Sequence, residues 1–252
     1  MKPMSAELPR IVITIEARML SSRLPGKVLR PILGRPMLAL MIERLQRVKN
    51  VAAIVVATTV DPSCDPIETL ARELGVSCFR GSEDDVLDRV LQAARAAEAD
   101  LIVETTGDCP LIDPAVIDVM IADFLAGGAD YVANILQPTW PRGMDVQVFP
   151  RAVLERVAQL TNDPADREHV SLYIYEHPET FRLRNVVSGL PADVAELRLT
   201  VDTREDFALV TRIYEALYVG NPRFGMMEIL ALFAEHPDWR EINRAVQQKA
   251  VR

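Results

Sequence analysis

Cysteine is scarce in this chain of 252 residues: Cys64, Cys78 and Cys109 are the only three. They are far apart, with no C-x-x-C pair, so neither a zinc module nor a disulfide framework is expected and a reducing compartment is. Long apolar runs are missing as well. None approaches the ~18 residues a membrane-spanning helix needs, and Met1–Arg10 lacks the apolar stretch of a secretory signal. A cytoplasmic location and no membrane partner are therefore expected. There is no excess of positive charge: 28 Lys and Arg stand against 36 Asp and Glu, for a net charge of −8. A net anion is repelled by phosphate backbones, so no nucleic-acid partner is expected. Two phosphate motifs are also absent. Gly26-Lys27 is followed by Val28 where a phosphate loop has Ser or Thr, and no G-x-G-x-x-G occurs.

What the chain has is apolar residues enough for a sizeable core, 49% by composition with 25% charged. We read it as one domain over 1–252. Short apolar runs at 11–15, 53–58, 76–79 and 101–103 read as buried strands. Helical periodicity fills the intervals, from Pro36 to near Asn50, over 65–74, 83–97 and 114–125. Strands alternating with helices at this spacing predict an α/β fold, a doubly wound, mostly parallel, Rossmann-like sheet. After 128 the rhythm changes. Two short strands at 131–134 and 146–149 flank a Pro-rich link, which predicts a small antiparallel excursion serving as a lid or contact element. Helices are expected over 150–161, 165–177 and 203–218, strands near 181–187 and 197–201, and a helical tail over 220–252.

Charge singles out one loop. From Ala17 to Arg35 there are five cations (Arg18, Arg23, Lys27, Arg30, Arg35) and no acid. It follows the first strand, and ligands of open α/β sheets bind beyond the carboxyl ends of strands. Guanidinium forks and an ammonium beside backbone N–H groups suit a polyphosphate. Two carboxylates follow later strands: Asp108, in Gly107-Asp108-Cys109-Pro110, and Asp202, in Val201-Asp202-Thr203. Mg²⁺ takes oxygen ligands of this kind, usually one or two carboxylates completed by substrate phosphates. Helix capping competes for Asp202 and is the better reading of Asp113 and Asp206. Ser82 to Asp85 can equally be an N-terminal box for the helix that follows.

The stretch from Glu16 to Lys27, E-A-R-M-L-S-S-R-L-P-G-K, resembles the signature loop of sugar-activating cytidylyltransferases such as CMP-Kdo and CMP-sialic acid synthetases. It is most similar to the spore coat polysaccharide biosynthesis protein F group, which usually has Gln where Glu16 stands and Thr where Ser22 stands. G-D-C-P-L-I-D at 107–113 and V-D-T-R-E-D-F at 201–207 match the same group. The resemblance implies transfer of CMP from CTP to an acidic sugar, with Mg²⁺ as cofactor and a homodimer. Arg18, Lys27, Asp108 and Asp202 would be catalytic, the two Asp holding the metal. Ala17, Arg18, Arg23, Lys27, Arg80, Gly81, Ser82, Asp85 and Asp108 would bind nucleotide. Asn134, Arg142, Gly143, Asp145, Glu168, His169 and Tyr173 would bind the sugar, its carboxylate met by Arg142, Arg167 or Arg198. His169, Tyr173 and His177 are expected on one helical face. A metal-dependent glycosyltransferase is the rival enzyme, but its D-x-D motif is missing. A polyol-phosphate nucleotidyltransferase and a silent nucleotide binder also compete with this reading.

Overall fold

The computed structural model describes residues 8–249. Its first strand, β1 (Ile11–Glu16), is an almost wholly buried apolar run, as a central parallel strand must be when helices cover both faces. A cationic loop and a short hairpin, β2 (Pro31–Ile32) with β3 (Arg35–Pro36), lead into α1 (Met37–Leu45). Then come β4 (Ala53–Thr59), α2 (Asp65–Glu73), β5 (Ser77–Gly81), α3 (Val86–Ala96), β6 (Leu101–Thr106) and α4 (Pro114–Leu125). The second half holds β7 (Tyr131–Ala133), β8 (Gln147–Pro150), α5 (Arg151–Leu160), α6 (Pro164–Glu168), α7 (Leu172–Glu176), β9 (Leu183–Asn185), α8 (Arg204–Leu217) and α9 (Met226–Glu235).

Seven strands form one sheet in the order β5-β4-β1-β6-β8-β7-β9. β5, β4, β1 and β6 run parallel, β8 is antiparallel to both its neighbours, and β9 is parallel to β7. Successive units step outward from β1 to β4 and β5, and β6 then returns to the opposite side of β1. The switch point therefore lies between β1 and β6, and loops leaving their carboxyl ends diverge to open a crevice. The period-2 alternation of β1 sorts the core into two layers. Ile11, Ile13 and Ile15 pack with α1, α2, α4, α8 and α9, whereas Val12 packs with α3, α5 and the α6–α7 region.

The antiparallel strands expected at 131–149 are present, but they are built into the main sheet, with β8 directly beside β6. Three other expectations need correction. Residues 197–201 form no strand; they run extended across Arg142, with Leu199 N–H donating to Arg142 O at 2.7 Å and one isolated bridge at Arg198. The expected helix over 165–177 is two short helices, broken where Val170 takes a φ of 39°. The tail is helical over α9 and one 3₁₀ turn at Pro237–Glu241, residues 242–249 carry no further helix, and 250–252 lie outside the described residues. No helix among the described residues is long and apolar enough to cross a membrane.

Candidate active site

The crevice over the switch point is a cavity of about 730 Å³. One wall is the loop after β1, closed on itself by a hydrogen bond from Gly26 N–H to Met19 O at 2.9 Å. The opposite wall is Gly107 and Asp108 after β6. These two backbones touch: Gly107 N–H donates to Glu16 O at 2.8 Å, and a Cβ on Gly107 would lie 2.9 Å from that oxygen. Only glycine permits the approach.

At the centre stands Lys27. Its Nζ lies 2.9 Å from Asp108 Oδ2, 2.9 Å from Asp202 Oδ1 and 2.8 Å from Val201 O. Asp202 also meets Arg23 Nη2 at 3.0 Å and Arg198 Nη2 at 2.7 Å, and Arg198 is shared with Asp206. Asp108 takes a hydrogen bond from the Thr106 hydroxyl at 2.6 Å. Burial opposes charge on Lys27, but Asp108 and Asp202 outweigh it and hold the ammonium above its ordinary range. Burial likewise opposes charge on Asp108, and Lys27 and Thr106 reverse the balance and keep its carboxyl below the usual range. Both groups are thus firmly ionised at neutral pH.

The acids at 108 and 202 and the loop at 18–27, far apart in sequence, share one cleft. Ala17, Arg18, Arg23, Lys27, Asp108 and Asp202 all line it, as do Glu168 and His169 from the end of α6. Arg18 is paired with Glu83 at 2.7 Å. Arg30 and Arg35 belong elsewhere: Arg30 sits over the Phe207 ring, and Arg35 pairs with Glu43 beside Tyr218.

Other candidates do not line this cavity and have contacts within the fold. Arg80 ties β5 to its neighbours through Thr59 O, Asp61 O, Asp65 and Glu68. Gly81 gives room for the Arg89 side chain, since a Cβ there would meet Arg89 Cγ at 3.1 Å. Ser82 and Asp85 cap α3, and Asp85 also receives Arg167. Asn134 is 1% exposed, with its amide spent on Met144 O and Val146 N–H. Arg142 and Gly143 support the extended 197–201 segment, and Asp145 accepts from Gly143 N–H. Tyr173 stacks on the half-buried His177 and packs against the second core layer, while His169 lines the cleft from the other side of the helix break. The break separates the three residues that an unbroken helix would align. Of the three arginines offered for a sugar carboxylate, Arg167 and Arg198 are already ion-paired, and Arg142 does not line the cleft.

Sequence pattern gives no role in the cleft to Arg89, Glu83, Thr106 or Gln248, all of which line it. Arg89 reads as one more charge on an amphipathic helix, yet it is 2% exposed and faces Glu16. Glu16 points to the same side as Glu104 on β6. Burial lifts Glu16 to about 7 against the opposing pull of Arg89, with a hydrogen bond to Glu104. Glu104 is raised well above its ordinary value by burial and by Glu16. An unfolded glutamate gives up its proton near 4.5 and the native Glu16 near 7. The native state thus binds more protons between those values, and stability falls as pH rises through that window. Glu16→Gln should reduce this slope, with a difference of about 1–2 kcal/mol between pH 5 and 7.5, read from urea melts at the two pH values.

Hard oxygen donors from the end of β6 and from the extended segment 197–202, beside three cations, are what a divalent ion and a polyphosphate require. The pair Asp108 and Asp202 fits Mg²⁺ in number and type, because that ion keeps several waters and completes its shell with phosphate oxygens. No group of three or more His, Cys, Asp or Glu among the described residues forms a metal cage.

Comparison with known proteins agrees with this geometry. The sequence model of a family described as Cytidylyltransferase matches residues 11–219. The spore coat polysaccharide biosynthesis protein SpsF of Bacillus subtilis is 32% identical over 232 residues, covering 90% of this chain and 95% of that one. A 3-deoxy-manno-octulosonate cytidylyltransferase of Geobacter metallireducens is 29% identical over 191 residues, covering 66% and 74%. A solved cytidylyltransferase from Leptospira borgpetersenii superposes with a TM-score of 0.88 at 33% identity, covering 96% of this chain and all of that one. With its signature loop, its two carboxylates in one cleft and its sheet order all in place, this chain belongs to the cytidylyltransferase family.

Proposed function

We propose that the protein transfers CMP from CTP to a hydroxyl of an acidic sugar of the Kdo or nonulosonic type, releasing pyrophosphate, for surface polysaccharide or glycan synthesis. The observation that carries this reading is the convergence of Arg23 and Lys27 with Asp108 and Asp202 in one cleft at the switch point. Arg18, Arg23 and Lys27 would hold the β- and γ-phosphates and stabilise the leaving pyrophosphate. Asp108 and Asp202 would hold Mg²⁺, which when bound neutralises phosphate charge and polarises the α-phosphorus. Glu168 and His169, which also line the cleft, would orient the sugar. The sugar hydroxyl oxygen forms the new bond to the α-phosphorus and loses its proton to solvent, the bond from the α-phosphorus to the oxygen bridging to the β-phosphate breaks, and that electron pair leaves with pyrophosphate. A cytoplasmic homodimer is part of the same reading.

The test is Mg²⁺-dependent pyrophosphate release from each of the four nucleoside triphosphates with Kdo, N-acetylneuraminic acid and a polyol phosphate. Release only with CTP and an acidic sugar together supports the proposal. Release with the polyol phosphate reassigns the acceptor, consumption of a sugar nucleotide makes the protein a transferase, and CTP binding without turnover makes it a binder.

A further inference from the structure

The place between the two carboxylates is filled by a side chain of the protein itself. An ammonium has three N–H donors and no more, and Lys27 has all three committed: Asp108, Asp202 and the Val201 carbonyl. It cannot take a phosphate oxygen without releasing one of them. Nor can a divalent ion, at about 2.1 Å from the carboxylate oxygens, share the gap with an ammonium that lies 2.9 Å from each. Charge leads to the same conclusion. Lys27, Arg23 and Arg198 stand against Asp108, Asp202 and Asp206, so no net negative charge remains there to draw in a free cation. A triphosphate reverses that sum.

We propose that Lys27 is an exchangeable counter-ion: it holds the two acids together in the nucleotide-free cleft and leaves them only for phosphate oxygens. A free divalent ion is therefore kept from the two acids until the phosphates of a nucleotide draw Lys27 away. This rests on the nucleotide reading given above and adds what Lys27 does before the nucleotide binds. The local build suits a side chain that swings on a fixed anchor. Lys27 opens a 3₁₀ turn whose next residue, Val28, is 2% exposed in the core, and the loop before it is closed at Gly26. The backbone is pinned while four methylenes remain free to turn.

Mn²⁺ titrated into the nucleotide-free protein, followed by loss of the free-ion electron paramagnetic resonance signal, tests this without any turnover. The wild type should show no site tighter than millimolar. Lys27→Met should gain one about 10- to 100-fold tighter, and Lys27→Met with Asp202→Asn should lose it again. Lys27→Gln serves in the same way should the methionine variant not fold. Tight Mn²⁺ binding by the wild type alone, or no gain in either Lys27 variant, overturns the proposal. A protein that releases no pyrophosphate from CTP would count against the proposed reaction and leave this measurement intact.

Discussion

Asp108→Asn should cost about 100- to 1,000-fold in kcat, some 3–4 kcal/mol of transition-state stabilisation, while the melting temperature moves by only a few degrees. The substitution keeps the size of the side chain and an acceptor for the Thr106 hydroxyl, which bonds Asp108 at 2.6 Å. It removes the charge that faces Lys27 at 2.9 Å and one of two oxygen donors available to a divalent ion. Steady-state pyrophosphate release with saturating CTP measures the loss. Combined with Lys27→Ala, the two effects should fall well short of additive, because the residues act as one unit. A near-normal rate in Asp108→Asn would remove that residue from the chemistry.

Gly143→Ala should lower stability by about 3 kcal/mol or more, a fall of about 6–12 °C in melting temperature, and should cut turnover as well. The backbone at Gly143 has a φ of 101°, and a Cβ there would lie 2.7 Å from both Leu199 C and Thr200 N. Those atoms are backbone and cannot rotate aside. The segment they belong to brings Asp202 to the cleft, with Arg198 paired to it, so relieving the clash displaces half of the acid pair. Thermal unfolding by circular dichroism, with kcat measured well below the melting temperature, separates the two losses. An unchanged melting temperature would show that the turn can adjust.

The parallel half of the fold is plain in the sequence. The runs at 11–15, 53–58 and 101–103 are apolar because both faces of their sheet are covered, and the helices between them have one dry side. The cationic loop is legible for a related reason: five cations with no acid, in an anionic chain, have no role in a core, although only Arg18, Arg23 and Lys27 of the five line the cleft. The place of β8 is not legible. A four-residue strand with a proline at its end reads as an edge, and only pairing with β6, some 45 residues away, makes it central. The break at Val170 is hidden because His169, Tyr173 and His177 keep helical spacing whether or not the helix is continuous. Gly143 and Asn134 stand out as motif positions, yet the contacts they make are with backbone. That distinction lies in tertiary contacts, which single-residue chemistry does not record.

The cleft's ion pairs join residue 27 to residues 108 and 202, and this long reach has a consequence during synthesis. In the growing chain the cationic loop and β1 are made early, Glu83 and Asp108 follow within the first half, and Asp202 comes much later. Until Asp202 is made, Lys27 has only one of its two carboxylates and Arg23 lacks the carboxylate it meets in the folded cleft. The charge balance of the finished cleft is therefore tied to completion of the carboxyl-terminal half.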